Sequence, residues 1–345
     1  MVKNINREKI NRYRQRFLSG ASANGVKALT AIEIWRQIES FAGYAFCKAH
    51  SASFAMVSYR TAYLKAHYPT EFMAAVLSNR GGFYDTSTYI EEARRMGIHF
   101  LLPHINYSFH GFTANNSFIR IALSLVKGLK KSCIDSILKI RRAKPYISIM
   151  DFLSRIDIDK LEIEALIRCG AMDDLEHSRP EMLWILKVFL KNGKLRPMFP
   201  ASPLKLKEYS FRYKLLAELE HLNLTVSGHF LTLFKSPGEV TQAIKLPHFI
   251  GCLVTLTGWI VTSKQTLTQS NRPMKFMTLE DSTALFDAIL LPIVYKQFGP
   301  ILYDRGPYII KGRVKKEGRS ISITVSWLSR LHPSEADTNL AFAKI

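Results

Sequence analysis

Apolar residues recur at helical spacing through the first hundred residues. One helical face is predicted by Ile34, Trp35, Ile38 and Phe41. Pro69 can occupy the first turn of a further helix over Thr70–Ser78, because that position needs no amide donor. Another helix is predicted over Ser87–Met96 and ends at Gly97. This part of the chain is therefore predicted to be helical.

The period changes to that of β-strands between about residues 250 and 330. Five short segments rich in β-branched residues are separated by turn residues: LVTLTGWIVT, MKFMTLED, LFDAILL, YIIKGRVKK and SISITVSWL. PIVYKQFGPIL, between the third and fourth segments, predicts a helix. Five strands with a helix between the third and the fourth are typical of an OB-fold barrel.

A helix, a tight turn and a second helix are predicted in IALSLVKGLKKSCIDSILKIRRAK, with the turn at Lys127-Gly128-Leu129-Lys130. A helix-hairpin-helix of this kind binds the phosphate backbone through its amides and lysines without reading bases. The candidate DNA-binding residues here are Lys127, Gly128, Lys130, Lys131, Arg141 and Arg142. Such hairpins usually hold a second glycine where Lys130 stands. A plain helical hairpin that packs inside the protein is the alternative.

Net charge strengthens the nucleic-acid interpretation. The chain of 345 residues holds 48 Lys and Arg against 28 Asp and Glu, a net charge of +20. Such an excess favours a polyanionic partner, either nucleic acid or a membrane surface. No apolar run approaches the ~18 residues of a membrane span, and the amino terminus lacks a secretory core. Four widely spread cysteines without a CxxC pair predict reduced thiols, a cytoplasmic location and no zinc site.

Two basic residues stand just ahead of a predicted helix start. Ser51 is a good N-cap, and Lys48 and His50 precede it. The amino end of a helix carries partial positive charge and unpaired amides, so an anion such as phosphate would suit this place. The alternative is an ordinary helix entry with both side chains in water.

The predicted barrel carries its own candidates for single-strand binding, which in OB-folds combines aromatic stacking with a basic groove. They are Trp259, Lys264, Arg272, Lys275, Phe276, Arg313, Lys315 and Lys316. Phe276 points either to the surface, where it could stack on a base, or into the barrel core, because strand side chains alternate.

The segment FAGYAFCKAHSASFAMVSYRTAYLKAHYP resembles the fingers signature of bacterial DNA polymerase III alpha subunits, the C-family DNA polymerases. TGWIV, RPMKFMTLED and FDAILLP resemble the OB domain of the same family. The resemblance runs from about Arg7 to Leu328. It implies the carboxy-terminal portion of an alpha subunit or of its error-prone relative. Ala45, Cys47 and Ala49 depart from the signature.

With this resemblance, the predicted fold class is multidomain α+β: a helical fingers remnant, a helix-hairpin-helix module and a carboxy-terminal OB-fold barrel. The predicted boundaries are 1–105 for the fingers-like region, 106–178 for the hairpin module, 179–248 for a connector with one helix, 249–330 for the OB-fold and 331–345 for a tail. The resemblance also implies that Lys48 and His50 face triphosphate or primer–template phosphate.

Catalytic groups are expected elsewhere. Polymerases hold two metal ions with carboxylates, which the resembling family carries in a palm segment upstream of the fingers. The acidic pairs Asp157/Asp159 and Asp173/Asp174 match no such motif, and helix capping is the favoured interpretation of the first pair. His229 is interpreted as part of a turn. We therefore predict no catalytic residue, no metal site and no bound cofactor, with Mg²⁺ only in the palm.

The leading hypothesis is a DNA-binding part of a nucleotidyltransferase that holds duplex backbone and single strand but does not polymerise alone. One alternative is a structural partner that completes a separately encoded palm-bearing half. Another is a non-functional remnant of a polymerase. A sliding-clamp segment is a further candidate in LRPMF, Leu195 to Phe199, where the family carries a Q-x-x-[LM]-F pattern.

Overall fold

The computed structural model describes residues 7–41, 48–79, 82–191, 205–235 and 238–331. The chain divides into two compact units between His67 and Tyr68. The predicted clamp segment and the predicted tail after Leu331 lie outside the described residues, as do Ala45 and Cys47. Within the described part of the chain, no helix is both long and apolar enough to cross a bilayer.

The described residues of the first unit, 7–41 and 48–67, form three helices. They are α1 (Arg7–Ala23), α2 (Ala28–Phe41) and α3 (Lys48–His67). Ala31 and Trp35 of α2 are buried, and the ring of Trp35 lies 5.6 Å from that of Phe17 on α1. The helical periodicity of residues 34–41 therefore predicted α2 correctly.

Helix α3 begins earlier than expected. Because it starts at Lys48, His50 lies inside its first turn, and Ser51 is not the N-cap. Every residue from Ala49 to His67 is exposed. The exposed apolar side chains of α3 include Phe54, Met56, Val57, Tyr59, Tyr63 and Leu64.

The second unit opens with a helical module, which we define as residues 68–191. Its helices are α4 (Pro69–Asn79), α5 (Thr86–Arg95), α6 (Lys131–Arg141), α7 (Ile149–Arg155), α8 (Lys160–Arg168) and α9 (Arg179–Lys191). A small sheet adds β1 (His99–Leu101), β2 (Thr113–Asn115) and β3 (Phe118–Arg120) in the order β1-β3-β2. The predicted helices at 70–78 and 87–96 correspond to α4 and α5, and Gly97 follows α5 with a φ of 82°.

One apolar core joins all six helices of this module. Met73 of α4, Ile90 of α5, Ile137 of α6 and Leu186 of α9 all belong to it. Two predicted boundaries therefore differ from the observed packing. Residues 68–101 share the core of the hairpin module rather than that of the fingers-like region. Helix α9 also belongs to the module, although it was assigned to the connector.

The connector contains α10 (Phe211–Leu222), which ends in a left-handed residue, Asn223, with a φ of 60°. Asparagine tolerates this conformation better than most residues, so the helix can end here without a glycine. The predicted turn at Ser227-Gly228-His229 follows. The His229 Nδ1 accepts a hydrogen bond from the Leu231 amide at 3.1 Å and caps a short 3-10 helix. The interpretation of His229 as a turn residue is confirmed.

The last part of the chain is a closed five-stranded barrel. Its strands are β4 (Leu253–Leu267), β5 (Pro273–Glu280), β6 (Leu285–Leu290), β7 (Tyr308–Glu317) and β8 (Ser320–Arg330), with α11 (Pro292–Phe298) between β6 and β7. The strand order is β4-β5-β6-β8-β7, and β7 closes onto β4. Only β6 and β8 pair in parallel among the described strands of the barrel. This is the topology of an OB-fold, so the predicted strand pattern is confirmed.

Candidate nucleic-acid interface

The hairpin turn exposes part of the predicted phosphate-binding set. Lys127, Gly128 and Lys131 are exposed where the chain enters α6. Gly128 has a φ of 80°, which favours glycine, and the Lys127 amide donates to the His221 carbonyl at 2.8 Å. The first arm is a single 3-10 turn, Leu123–Leu125, and not the predicted helix.

Lys130 does not take the predicted role. Its backbone is extended, with φ −71° and ψ 147°, so the missing glycine causes no strain. Its amide donates to Glu162 Oε1 at 2.8 Å, and its ammonium group forms an ion pair with Asp159. This carboxylate raises the pKa of Lys130. Two carboxylates therefore occupy the groups that a phosphate would need.

The two arginines at the end of α6 differ. Arg141 is half-buried, donates to the Ile105 carbonyl at 2.8 Å and lies 4.7 Å from the centre of the Phe109 ring. It secures the loop between β1 and β2, which corrects its assignment to DNA. Arg142 is exposed at the carboxyl end of α6 and stays a candidate.

The acidic residues of the module have structural roles. Asp159 and Glu162 form a capping box at the start of α8, which confirms the capping interpretation of Asp159. Asp173 binds Arg179 through two hydrogen bonds of 2.7 and 2.6 Å. Only 1% of the Arg179 side chain is exposed. Sequence reasoning missed Arg179, which has no local signal beyond a lone arginine at a helix start.

The outward face of the barrel brings several predicted residues together in two rows. Side chains of paired residues share a face, and the pairing aligns one residue from each of five strands. The first row is Lys264, Phe276, Ile289, Thr324 and Arg313. The second is Thr262, Thr278, Asp287, Ser322 and Lys315. We call the central part of these rows, from β4 to the start of β8, the barrel groove.

Phe276 lies in the middle of the barrel groove with 41% of its surface exposed, and its neighbour Met277 is buried. The alternative that placed Phe276 in the core is therefore wrong. The groove has a volume of about 330 Å³ and includes the side chain of Lys264 in its wall. Its floor is not uniformly basic, because Asp287 accepts a hydrogen bond from the Thr278 hydroxyl at 2.7 Å.

Cations stand at both ends of the rows. Lys264 on β4 lies on one side of Phe276, and Arg313 and Lys315 on β7 lie on the far side. The Arg313 guanidinium donates to the Gly251 carbonyl, which fixes its position at the edge. Lys315 and Lys316 are exposed. The groove thus offers an aromatic surface with Lys264 on its β4 side. Its other side is lined by Glu317, Ser320 and Ser322, and Arg313 and Lys315 lie beyond β8.

Three predicted barrel residues lie outside the groove. Trp259 packs edge-on against Phe230, with ring centres 4.6 Å apart, and lines a different cavity. Lys275 alternates with Phe276 and pairs with the buried Leu290, and burial lowers the pKa of Lys275. Arg272 lies in the β4–β5 loop next to α11.

The predicted phosphate site on α3 is only partly described. The ring of His50 lies 4.5 Å from that of Phe54, one turn further along the helix. The Lys48 side chain lies outside the described residues. Lys48 and His50 are the first and third residues of α3, so both lie in the first turn of the helix.

Comparison with known proteins finds one matching family model and several similar bacterial polymerases. Residues 97–182 match the family model for a helix-hairpin-helix motif. The chain is 31% identical to the DNA polymerase III subunit alpha of Saccharopolyspora erythraea, with 94% of this chain and 30% of that protein covered. It is 29% identical to the error-prone DNA polymerase of Symbiobacterium thermophilum, with 94% and 36% covered. For the Bacillus subtilis DNA polymerase III subunit alpha, identity is 28%, with 96% and 32% covered.

Solved structures match about a quarter of the chain, with low TM-scores. A domain of replication protein A from Methanococcus maripaludis is 17% identical with a TM-score of 0.21, over 24% of this chain and 88% of that one. The SSB domain of a Synechococcus protein is 15% identical with a TM-score of 0.21, over 23% and 93%.

The chain is thus a helix-hairpin-helix and OB-fold protein related to the bacterial C-family DNA polymerases. More particularly, it is a homologue of DNA polymerase III alpha subunits and error-prone DNA polymerases, as the fingers and barrel motifs predicted. It spans about a third of the length of the relatives that it matches.

Proposed function

We propose that this chain is the DNA-binding part of a DNA polymerase III alpha-like protein and that it holds a single strand in the barrel groove. The observation that carries this proposal is the exposed ring of Phe276 next to Lys264 in the barrel groove, in a row of paired residues that ends at Arg313 on β7. A base can stack on the ring while one phosphate approaches Lys264, and the strand can continue around the barrel toward Arg313 and Lys315. The strand 2–3 face of an OB-fold, here β5 and β6, is the face that commonly binds oligonucleotides.

The hairpin would contact duplex backbone. Lys127, Lys131 and Arg142 are exposed, and the backbone of Gly128 is open, because a Cβ there would meet nothing within 4 Å. A phosphate can approach such a turn closely. Contacts of this kind position a duplex without selecting its sequence.

Polymerisation itself needs carboxylates that hold Mg²⁺, and these would come from a palm segment. On this proposal the chain does not polymerise alone and works in the cytoplasm where DNA is copied. Lys48 and His50 would lie near triphosphate or primer–template phosphate. Clamp binding through 195–199 stays a prediction.

Replacing Phe276 by alanine is expected to weaken binding to oligo-dT about tenfold, because one stacked base is lost. Fluorescence anisotropy with labelled oligo-dT measures this directly. Phe83→Ala is the matched control, since Phe83 is 86% exposed and lies outside the groove. Affinity must also fall linearly with the logarithm of salt concentration. An unchanged affinity in Phe276→Ala would contradict single-strand binding in the barrel groove. If the unaltered chain does not bind oligo-dT even at low salt, the hypothesis of a non-functional polymerase remnant is supported.

The hairpin proposal predicts different roles in duplex binding for neighbouring lysines. Lys127→Gln and Lys131→Gln together are expected to weaken duplex binding several-fold and to lower the salt slope by about two, because each lysine neutralises one phosphate. Lys130→Gln is expected to leave the duplex affinity and the salt slope nearly unchanged, because Asp159 already holds the Lys130 ammonium group. Filter binding with a duplex across a salt series measures both quantities. A Lys130 effect as large as that of the pair would overturn the assignment.

A second candidate is a partner subunit for a palm-bearing chain. The observation that favours it is α3, which exposes 59% of Phe54, 59% of Val57 and 79% of Tyr59. Exposed apolar surface of this extent is typical of an interaction site. Phe54→Ser with Tyr59→Ser should then abolish co-purification with a palm-bearing polypeptide and leave oligo-dT binding intact. Co-purification that survives both changes would rule this surface out.

A further inference from the structure

A second cavity, of about 440 Å³, lies within the second unit where α5 and α10 meet the barrel. This volume is within the roughly 300–1,000 Å³ of small-molecule sites. It is separate from the barrel groove. The residues that line it and carry the argument are Glu91, His229, Phe230, Trp259 and Arg305.

Two aromatic rings form an apolar corner of this cavity. Phe230 and Trp259 have ring centres 4.6 Å apart and planes inclined by 68°. The Arg305 guanidinium lies 5.5 Å from the centre of the Trp259 ring, and its hydrogen bond to the Ile260 carbonyl at 2.9 Å holds it there. Leu125 and Leu222 extend the apolar wall. Such a corner suits a flat, ring-shaped ligand.

A buried polar pair stands beside that corner. His229 Nε2 lies 3.9 Å from Glu91 Oε2, too far for a hydrogen bond, although the two side chains are only 8% and 12% exposed. The Nδ1 of His229 already accepts from Leu231, so in the neutral ring Nε2 carries the proton. Burial lowers the pKa of His229 to about 4, and the ring is neutral at pH 7.

Glu91 supplies the matching acceptor. Its Oε1 pairs with Arg94, and the contact to His229 involves the other oxygen, Oε2. Burial raises the pKa of Glu91 to about 7. The donor and the acceptor do not bond to one another, and both residues line the cavity, so one ligand can bond to both.

We propose that this cavity binds a planar nitrogen heterocycle of the kind found in nucleobases. The ligand directs a hydrogen-bond donor to Glu91 and an adjacent acceptor to His229, while its ring packs against Trp259. An amino group next to a ring nitrogen, as in adenine, has this arrangement. The same chemistry is available from a free nucleoside and from a base of a bound strand.

Isothermal titration of the full chain with adenosine tests the proposal. We expect measurable binding, and at least tenfold weaker binding of N6,N6-dimethyladenosine, which lacks the amino hydrogens. His229→Asn removes Nε2 but keeps a side-chain oxygen that can cap the turn at Leu231. Glu91→Gln keeps an acceptor for Arg94. Each variant is expected to raise Kd about tenfold, the value of one hydrogen bond to a charged or desolvated group.

Trp327→Phe is the matched control, because Trp327 lies on β8 against Lys311 and away from this cavity. It should bind adenosine like the unaltered chain. Thermal unfolding confirms that each variant is folded. Equal binding of adenosine and its dimethyl derivative, or an unchanged Kd in both cavity variants, would overturn the proposal.

Oligo-dA identifies the source of the base. If it displaces adenosine, a bound strand supplies the ligand; if it does not, the ligand is a free nucleoside, and either result supports the site. The adenosine titration contains no oligonucleotide, so a failure of single-strand binding in the barrel groove leaves this test intact.

Discussion

Arg179→Ala is expected to lower the free energy of unfolding by about 3 kcal/mol, the scale for breaking a buried ion pair. Arg179 makes two hydrogen bonds to Asp173 and a third to the Arg168 carbonyl at 2.8 Å. Removing the guanidinium leaves a carboxylate and a carbonyl without their partner. Gly170 packs against the same group, since a Cβ there would lie 2.3 Å from an Arg179 nitrogen.

Urea unfolding followed by tryptophan fluorescence measures this loss, because Trp184, one of the four tryptophans of the chain, lies on α9 and packs against the module core. Arg142→Ala is the control: it removes the same side chain from an exposed position and should change stability by less than about 0.5 kcal/mol. Similar losses in both variants would show that the buried pair contributes nothing particular.

His229→Asn is expected to change how stability depends on pH. The pKa of Glu91 is about 7 in the folded chain against 4.5 as its ordinary value, so the folded form binds more protons between these pH values. Its contribution is fully present below pH 4.5 and is lost as pH rises to about 7. The pKa of His229 is about 4 against 6.5, so its contribution is present above pH 6.5 and is lost as pH falls to about 4.

Between about pH 4.5 and 6.5, the loss of the Glu91 contribution with rising pH opposes the gain of the His229 contribution. The two changes in stability nearly cancel in the unaltered chain. In His229→Asn only the pH dependence caused by Glu91 remains. Relative to the unaltered chain, the free energy of unfolding should therefore fall by about 3 kcal/mol across this window as pH rises. Glu91→Gln should show the opposite sign. Urea unfolding at half-unit pH steps measures the difference, and parallel curves for all three proteins would contradict it.

The sequence predicted the barrel well because its signals are local. Alternating apolar residues and turn residues determine the strands of an OB-fold, and the helix between β6 and β7 fell in its predicted place. Side-chain direction within a strand needs register. Phe276 and Lys275 were both candidates, and only the pairing with Ile289 and Leu290 assigns one to the groove and the other to the core side.

The hairpin was harder to predict because its charges are paired over long sequence distances. Lys130 meets Asp159 and Glu162 across about thirty residues, a contact that no local pattern encodes. Trp259 is similar, since its neighbour Phe230 belongs to the connector and not to the barrel. Arg179 was missed for a different reason: its partners Asp173 and the Arg168 carbonyl are only six and eleven residues away, but the sequence does not reveal that the side chain is buried.

Closure of the barrel depends on its last strand. Because β8 lies between β6 and β7, it covers an edge of each. A chain shortened before Ser320 would expose two edges with unpaired backbone groups. Neighbouring copies could then pair through these edges and aggregate. Truncation experiments should therefore retain residues through Leu331, whose amide donates to the Pro307 carbonyl at 2.9 Å.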